Sequence, residues 1–142
     1  MGEPLALFAL KADRAEVRAA SEWLERTAHQ FDVPANKALA LDQCLDEILM
    51  NIVMHGGSSE SQTPVELSLA INATGLNKEV AVTVSDSGIP FNCVEAPSKA
   101  RASSLEEAEP GGLGLAIIKG LSSRLAYEFR GGRNFLTFAI QI

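Results

Sequence analysis

Cysteine is scarce. Cys44 and Cys93 stand far apart and outside any CxxC spacing, so the 142-residue chain frames neither a disulfide scaffold nor a thiolate zinc site. A reducing cytoplasm is the expected setting. Basic residues are outnumbered, 12 Lys and Arg against 18 Asp and Glu, which gives a formal net charge of -6 and a pI near 4.9. That balance argues against a nucleic-acid or anionic-membrane surface, because those partners need clustered positive charge. The two histidines, His29 and His55, form no metal cluster, and no Ser-His-Asp arrangement is evident. Long apolar runs are missing too: the stretch from Met1 to Leu10 lacks a basic leader and is too short for a signal sequence or a membrane span. Gly2 is no lipidation site, since Ala6 stands where Ser or Thr would be needed. What remains, 46% hydrophobic against 21% charged residues, suits one globular domain over residues 1–142 with a single core.

Periodicity divides the chain into elements. Leu5 to Leu10 reads as a short strand, and Asp13 with Glu16 three residues on forms a capping-box pattern at the start of a helix. Val17, Ala20, Trp23, Leu24 and Thr27 recur at helical spacing toward Phe31, with Trp23 expected in the core or an interface. Pro34 opens a second helix whose apolar stripe is Leu41, Leu45, Ile48, Leu49 and Ile52, and Gly56-Gly57 stops it. After a polar loop at 58–64, the alternation of Val65 to Asn72 and of Val80 to Ser85 about a turn near Gly75 and Asn77 predicts an antiparallel pair. No pattern is sustained from Ile89 to Pro110, a length that in a compact domain marks a functional lid, placed at about 89–111. Leu113 to Ser123 resumes helical spacing, and strands Leu125 to Phe129 and Phe135 to Ile142 flank the turn Arg130-Gly-Gly-Arg-Asn134. The order β-α-α-β-β-lid-α-β-β predicts an α+β fold, a two-layer sandwich.

Three groups of residues carry chemistry. On the second helix Glu47, Asn51 and His55 follow one another at i, i+4 and i+8, climbing one side with about 40 degrees of drift per step. They flank the apolar stripe and so can line a cleft beside the core. An Asn amide oxygen is a suitable ligand for a Mg ion that keeps its waters and binds phosphates, and Glu47 one turn earlier can accept a proton from an attacking hydroxyl. His55 reads as a residue that caps or packs the helix end. Asp86 ends a strand, with Gly88 allowing a tight turn, and a carboxylate there accepts a hydrogen bond from the exocyclic amine of adenine where guanine would present a carbonyl. Gly111-Gly112-Leu113-Gly114-Leu115 enters a helix whose backbone N–H groups can approach phosphate. It is neither a dinucleotide fingerprint, since Ile117 stands where the third Gly belongs, nor a Walker loop, since the first lysine after it is Lys119. Each pattern alone is an ordinary helix face or turn; in this order they describe a Mg-nucleotide site.

Together the motifs resemble the histidine-kinase-like ATPase superfamily that includes gyrase, Hsp90 and sensor histidine kinases. Glu47 to Asn51 looks like its N box, Asp86-Ser-Gly88 its first glycine box and Gly111 to Leu115 its second. Within that superfamily the chain most resembles the free-standing anti-sigma-factor serine kinases of bacterial partner-switching systems. Asp86-Ser-Gly-Ile-Pro-Phe91, the short lid running into Pro110-Gly-Gly-Leu-Gly-Leu115, and Tyr127-Glu-Phe-Arg-Gly-Gly-Arg-Asn134 carry that likeness.

The resemblance implies a Bergerat-type sandwich, a mixed and mostly antiparallel sheet covered on one face by helices, with ATP and Mg2+ between the helical layer and the lid. It implies that Glu47 is the general base for a partner's serine, that Asn51 holds Mg, that Asp86 and Gly88 select adenine, and that Gly111 to Leu115 meet the phosphates. The implied partners are a STAS-domain antagonist and a sigma factor or other regulator, with the kinase a homodimer. The second function the sequence allows is a nucleotide-gated module that holds a partner without phosphoryl transfer. Three positions depart from the family pattern: Glu109-Pro110 before the second glycine box, Ser122-Ser123 where Asp often follows the helix, and Arg133 where a Thr near adenine is common, with Thr137 close by in sequence.

Overall fold

The computed structural model describes residues 3–55, 64–88 and 112–142. The expected stop at Gly56-Gly57, most of the polar loop after it, the lid at 89–111 and Gly111 lie outside the described residues.

The chain begins with β1 (Ala6–Leu10), continues through α1 (Arg14–Gln30), α2 (Ala35–His55), β2 (Val65–Thr74) and β3 (Asn77–Asp86), and ends with α3 (Gly112–Leu121), β4 (Arg124–Arg130) and β5 (Arg133–Gln141). This is the expected α+β order. The five strands lie in the order β1-β2-β3-β5-β4, and every neighbouring pair is antiparallel, so the mixed, mostly antiparallel sheet that was expected has no parallel pair among its described strands. Two hairpins and a central β3–β5 pairing account for that: each neighbour is reached by a reversal of direction.

Both hairpins turn in two residues. Thr74 pairs with Asn77 across Gly75-Leu76, and Arg130 pairs with Arg133 across Gly131-Gly132. Gly131 and Gly132 both take positive φ, 57° and 77°, as a type I′ turn requires, and a side chain at either would be strained. The tight turns also extend the strands beyond their apolar alternation, bringing Asn77, Lys78 and Glu79 into β3 and Arg133 and Asn134 into β5.

Alternate strand residues build the core. Val65, Leu67 and Leu69 of β2, Val80, Val82 and Val84 of β3, and Leu136, Phe138 and Ile140 of β5 are all buried with the inward faces of the helices. From α1 these are Val17, Ala20, Trp23, Leu24 and Ala28, and from α2 Leu41, Leu45, Ile48 and Leu49, with Cys44 beside them. Trp23 is therefore core, its ring stacked on Phe8 of β1 at 5.6 Å between centroids. The opposite sheet face is more polar: Arg124 grips Glu79 through both guanidinium branches (3.2 and 2.6 Å), holding the Glu79 carboxyl below its ordinary pKa, and Thr83 meets Thr137 at 2.8 Å.

The helix ends follow their sequence signals. Asp13, in extended conformation, accepts the Glu16 backbone N–H at 3.0 Å, while the Glu16 carboxylate reaches back to the N–H of Lys11 rather than that of Asp13. At the other end of α1, Val33 N–H donates to Ala28 O and Asp32 N–H to His29 O, a Schellman pair with Asp32 at φ 59° and Val33 buried. A left-handed conformation crowds any Cβ, so Asp32→Gly is expected to stabilise the fold by about 1 kcal/mol, read as a higher urea midpoint with unchanged slope.

Candidate functional site

α1 follows the end of β1 after a three-residue link, and α2 returns along it after a four-residue turn. Ser21 of α1 donates to Asp42 of α2 at 2.6 Å, which fixes how the two helices are aligned. Beyond Asp42, α2 continues back toward the start of α1, which follows β1 and Leu10. Leu10 pairs with Val65, Glu66 with Ser85, and Asp86 with Asn134, so the ends of β1 and β3 and the starts of β2 and β5 lie together. The C-terminal half of α2, with Glu47 and Asn51, thus returns to the end of the sheet that carries Asp86. α3 packs against α2, its Ile118 fully buried in the same core.

Glu47 and Asn51 are both half-buried on the flank of α2, beside the buried Ile48 and Leu49. Burial, and secondarily the neighbouring Asp46 carboxylate, raises the pKa of Glu47 above that of an ordinary glutamate. A carboxylate whose pKa is raised in this way is a stronger base than an ordinary glutamate. His55 is the last residue of α2.

Asp86 is half-buried and held by two donors. The Gly88 backbone N–H reaches its Oδ1 at 2.9 Å, an Asx-type turn closed by the aspartate itself, and the Asn134 side-chain amide reaches the same oxygen at 3.1 Å. The other carboxylate oxygen, Oδ2, receives neither of these bonds. Between Asp86 and Gly88, the Ser87 hydroxyl is buried without a hydrogen-bond partner among the described residues. An orphaned hydroxyl next to an oriented carboxylate fits a polar ligand such as a purine better than a closed turn.

Asn134 was not singled out as a site residue in the sequence. It is 7% exposed, it also donates to Gly88 O at 3.4 Å, and the Tyr127 hydroxyl bonds its Oδ1. The signal that finds it is strand register, because Asn134 is the β5 residue paired with Asp86. Strand alternation places two residues named above, Arg133 and Thr137. Arg133 and Thr137 point to the sheet face away from Asp86, where Arg133 binds Ser85 Oγ and O and the carbonyl of Pro64, and Thr137 binds Thr83. Ser122-Ser123 ties α3 to the sheet: Ser122 N–H closes the helix on Ile118 O, and Ser123 bonds Ala139 O through both its N–H and its hydroxyl.

Gly112 is the first residue of α3, so the second glycine-rich motif does open a helix, as expected, with Gly112, Leu113, Gly114 and Leu115 in its first turn. The structure thus brings Asp86, Gly88 and Asn134 into contact and sets Glu47 and Asn51 one turn apart on α2.

The model of the histidine kinase-like ATPase domain matches residues 10–140. Over 115 residues, 81% of this chain and 78% of the other, the sequence is 34% identical to the serine/threonine-protein kinase BtrW of Bordetella bronchiseptica. Among solved structures, the fold is similar to the RsbU and RsbW domains of a Mycobacterium tuberculosis protein, with a TM-score of 0.65 at 16% identity, covering 96% of this chain and 32% of that one. It is also similar to the SiaB–SiaC complex of Pseudomonas aeruginosa, with a TM-score of 0.57 at 20% identity over 98% of this chain and 91% of that one. The chain belongs to the histidine kinase-like ATPase family, and its kinship with BtrW sets it among that family's serine/threonine-protein kinases.

Proposed function

We propose that this protein is an ATP-dependent serine/threonine kinase that acts as an anti-sigma factor, phosphorylating a serine of a STAS-domain antagonist and holding a sigma factor or another output regulator when that antagonist is absent. The observation that carries the reading is the oriented Asp86 carboxylate at the end of the sheet to which Glu47 and Asn51 return on α2. The naming of BtrW as a serine/threonine-protein kinase supports the reaction, and the solved complex of SiaB with SiaC supports a protein partner.

In this mechanism Asp86 accepts a hydrogen bond from the adenine amine, with Gly88 allowing the close approach of the base. Backbone N–H groups at the start of α3, from Gly112 to Leu115, face the phosphates, where the positive helix end favours negative charge. Glu47 takes the proton of the partner's serine hydroxyl as its oxygen bonds to the γ-phosphorus and the bond to the bridging oxygen of ADP breaks. The Asn51 amide oxygen would hold Mg2+, which neutralises charge on the phosphates. Asn51 fits that role as a half-buried neutral oxygen donor one turn from the base. No described helix is long and apolar enough to cross a membrane, and the proposed setting is the cytoplasm, with the kinase working as a homodimer.

The test is direct: the purified chain, γ-labelled ATP, Mg2+ and a STAS-domain protein from the same organism should yield a serine-labelled partner. Saturable ATP binding with an unlabelled partner would reject the kinase and leave a nucleotide-gated binding module. Absence of ATP binding would reject both.

A further inference from the structure

Asn134 sits between two groups that can only accept hydrogen bonds, the Asp86 carboxylate at 3.1 Å and the Gly88 carbonyl at 3.4 Å. Its amide nitrogen must therefore face them, and its oxygen must face the other way, toward the Tyr127 hydroxyl, which bonds it. The orientation of the amide follows from the chemistry of its neighbours whichever way it is first assigned. Three strands contribute to this relay. Tyr127 comes from β4, Asn134 from β5 and Asp86 from β3, and register makes Asn134 the direct partner of Asp86. The Tyr127 ring packs against the core, and Asn134 is almost fully enclosed, so neither side chain can swing away without leaving a buried polar atom unpaired.

We infer that Tyr127 and Asn134 are positioning residues for base recognition: the Tyr127 hydroxyl sets the Asn134 amide, which with the Gly88 N–H pins Asp86 Oδ1 and so aims Oδ2 at the exocyclic amine of adenine. The inference rests on the assignment of Asp86 to adenine and adds the residues that give that carboxylate a single orientation. A free aspartate turns about its side-chain bonds, and a site that leaves it free discriminates poorly. Two donors on one oxygen remove that freedom, and the selectivity lies in the oxygen that remains.

The experiment compares ATP with purine riboside triphosphate, which carries the same triphosphate but lacks the exocyclic amine, by calorimetric titration in the presence of Mg2+. The proteins are wild type, Y127F and N134D, each checked by thermal melting. Y127F removes one oxygen and keeps the packed ring; N134D keeps the shape and replaces the donor with an acceptor. Wild type should prefer ATP. N134D should lose about tenfold in ATP affinity and Y127F about threefold, with the analogue's affinity changed by less than about twofold in both, so that the preference for ATP collapses. Equal losses for the two nucleotides would show a general structural role and overturn the inference, as would unchanged ATP affinity in both variants. If N134D fails to fold, Y127F alone decides by the same comparison. A wild-type protein that binds both nucleotides equally would instead remove Asp86 from adenine recognition, and the inference with it; that failure is distinct because it appears before any substitution is made.

Discussion

Glu47→Gln is expected to lower the rate of phosphoryl transfer to the partner serine by about 10²- to 10⁴-fold while ATP binding is retained. Glutamine preserves the shape of the side chain and its place on the flank of α2, but it cannot accept the hydroxyl proton. Nucleotide binding survives because Glu47 is proposed to meet the attacking serine rather than ATP, and because removing a carboxylate next to a triphosphate relieves repulsion. Single-turnover transfer of labelled γ-phosphate separates the two effects. A variant that still phosphorylates at the wild-type rate would remove Glu47 from the reaction; one that no longer binds ATP would assign it to the nucleotide instead.

The same side chain links activity to stability in a way that pH can read. Burial and Asp46 raise the pKa of Glu47 in the folded protein above its unfolded value, so the folded state binds that proton more tightly. The ionised carboxylate therefore costs stability above the folded pKa, and the cost disappears as pH falls below the ordinary glutamate value of about 4.3. Glu47→Gln should consequently melt no lower than wild type at neutral pH, with any gain fading toward acid. Activity has the opposite dependence, rising with pH as the base ionises, and its acid limb should sit above the usual glutamate range. A group kept at a cost in stability because the chemistry needs it is what a functional site predicts.

How far the sequence alone reveals such a site depends on how local its contacts are. The N-cap of α1, the stripe of α2 and the two glycine turns depend on neighbours within a few residues, and they are legible as a cap, periodicity and turn residues. Strand ends are less so: Asn77, Lys78 and Glu79 break the apolar alternation, yet the two-residue turn at Gly75-Leu76 commits them to pairing. The same holds at the site. Glu47 with Asn51 and Asp86 with Gly88 are spaced by one helical turn and by one tight turn, so their spacing shows in the chain. Asn134 lies 48 positions from Asp86, and nothing in either segment announces the contact. Only the register of β3 against β5 brings them together, and that register depends on hairpin turns and core packing elsewhere. It also separates Thr137 from Asn134, neighbours in sequence that face opposite sides of the sheet.

Asp86→Asn should weaken ATP binding by about a hundredfold, a larger loss than any change to the residues around it. The substitution is isosteric, but the consequences run through both oxygens. If the new amide nitrogen takes the place of Oδ1, it faces the Gly88 N–H and the Asn134 amide, donor against donor, and the turn that presents the base loses its closure. If it takes the place of Oδ2, the turn is kept but a donor meets the adenine amine. Either arrangement leaves at least one hydrogen bond unmade in a partly buried site. The second has a further consequence, since an outward-facing amide can donate to the carbonyl that guanine presents. Binding of GTP should therefore fall less than that of ATP, or rise. Parallel titrations of the two nucleotides decide the matter: a loss confined to ATP assigns Asp86 to the base, whereas an equal loss of both assigns it to the fold of the turn, and full retention of ATP affinity would move the adenine site elsewhere on the molecule.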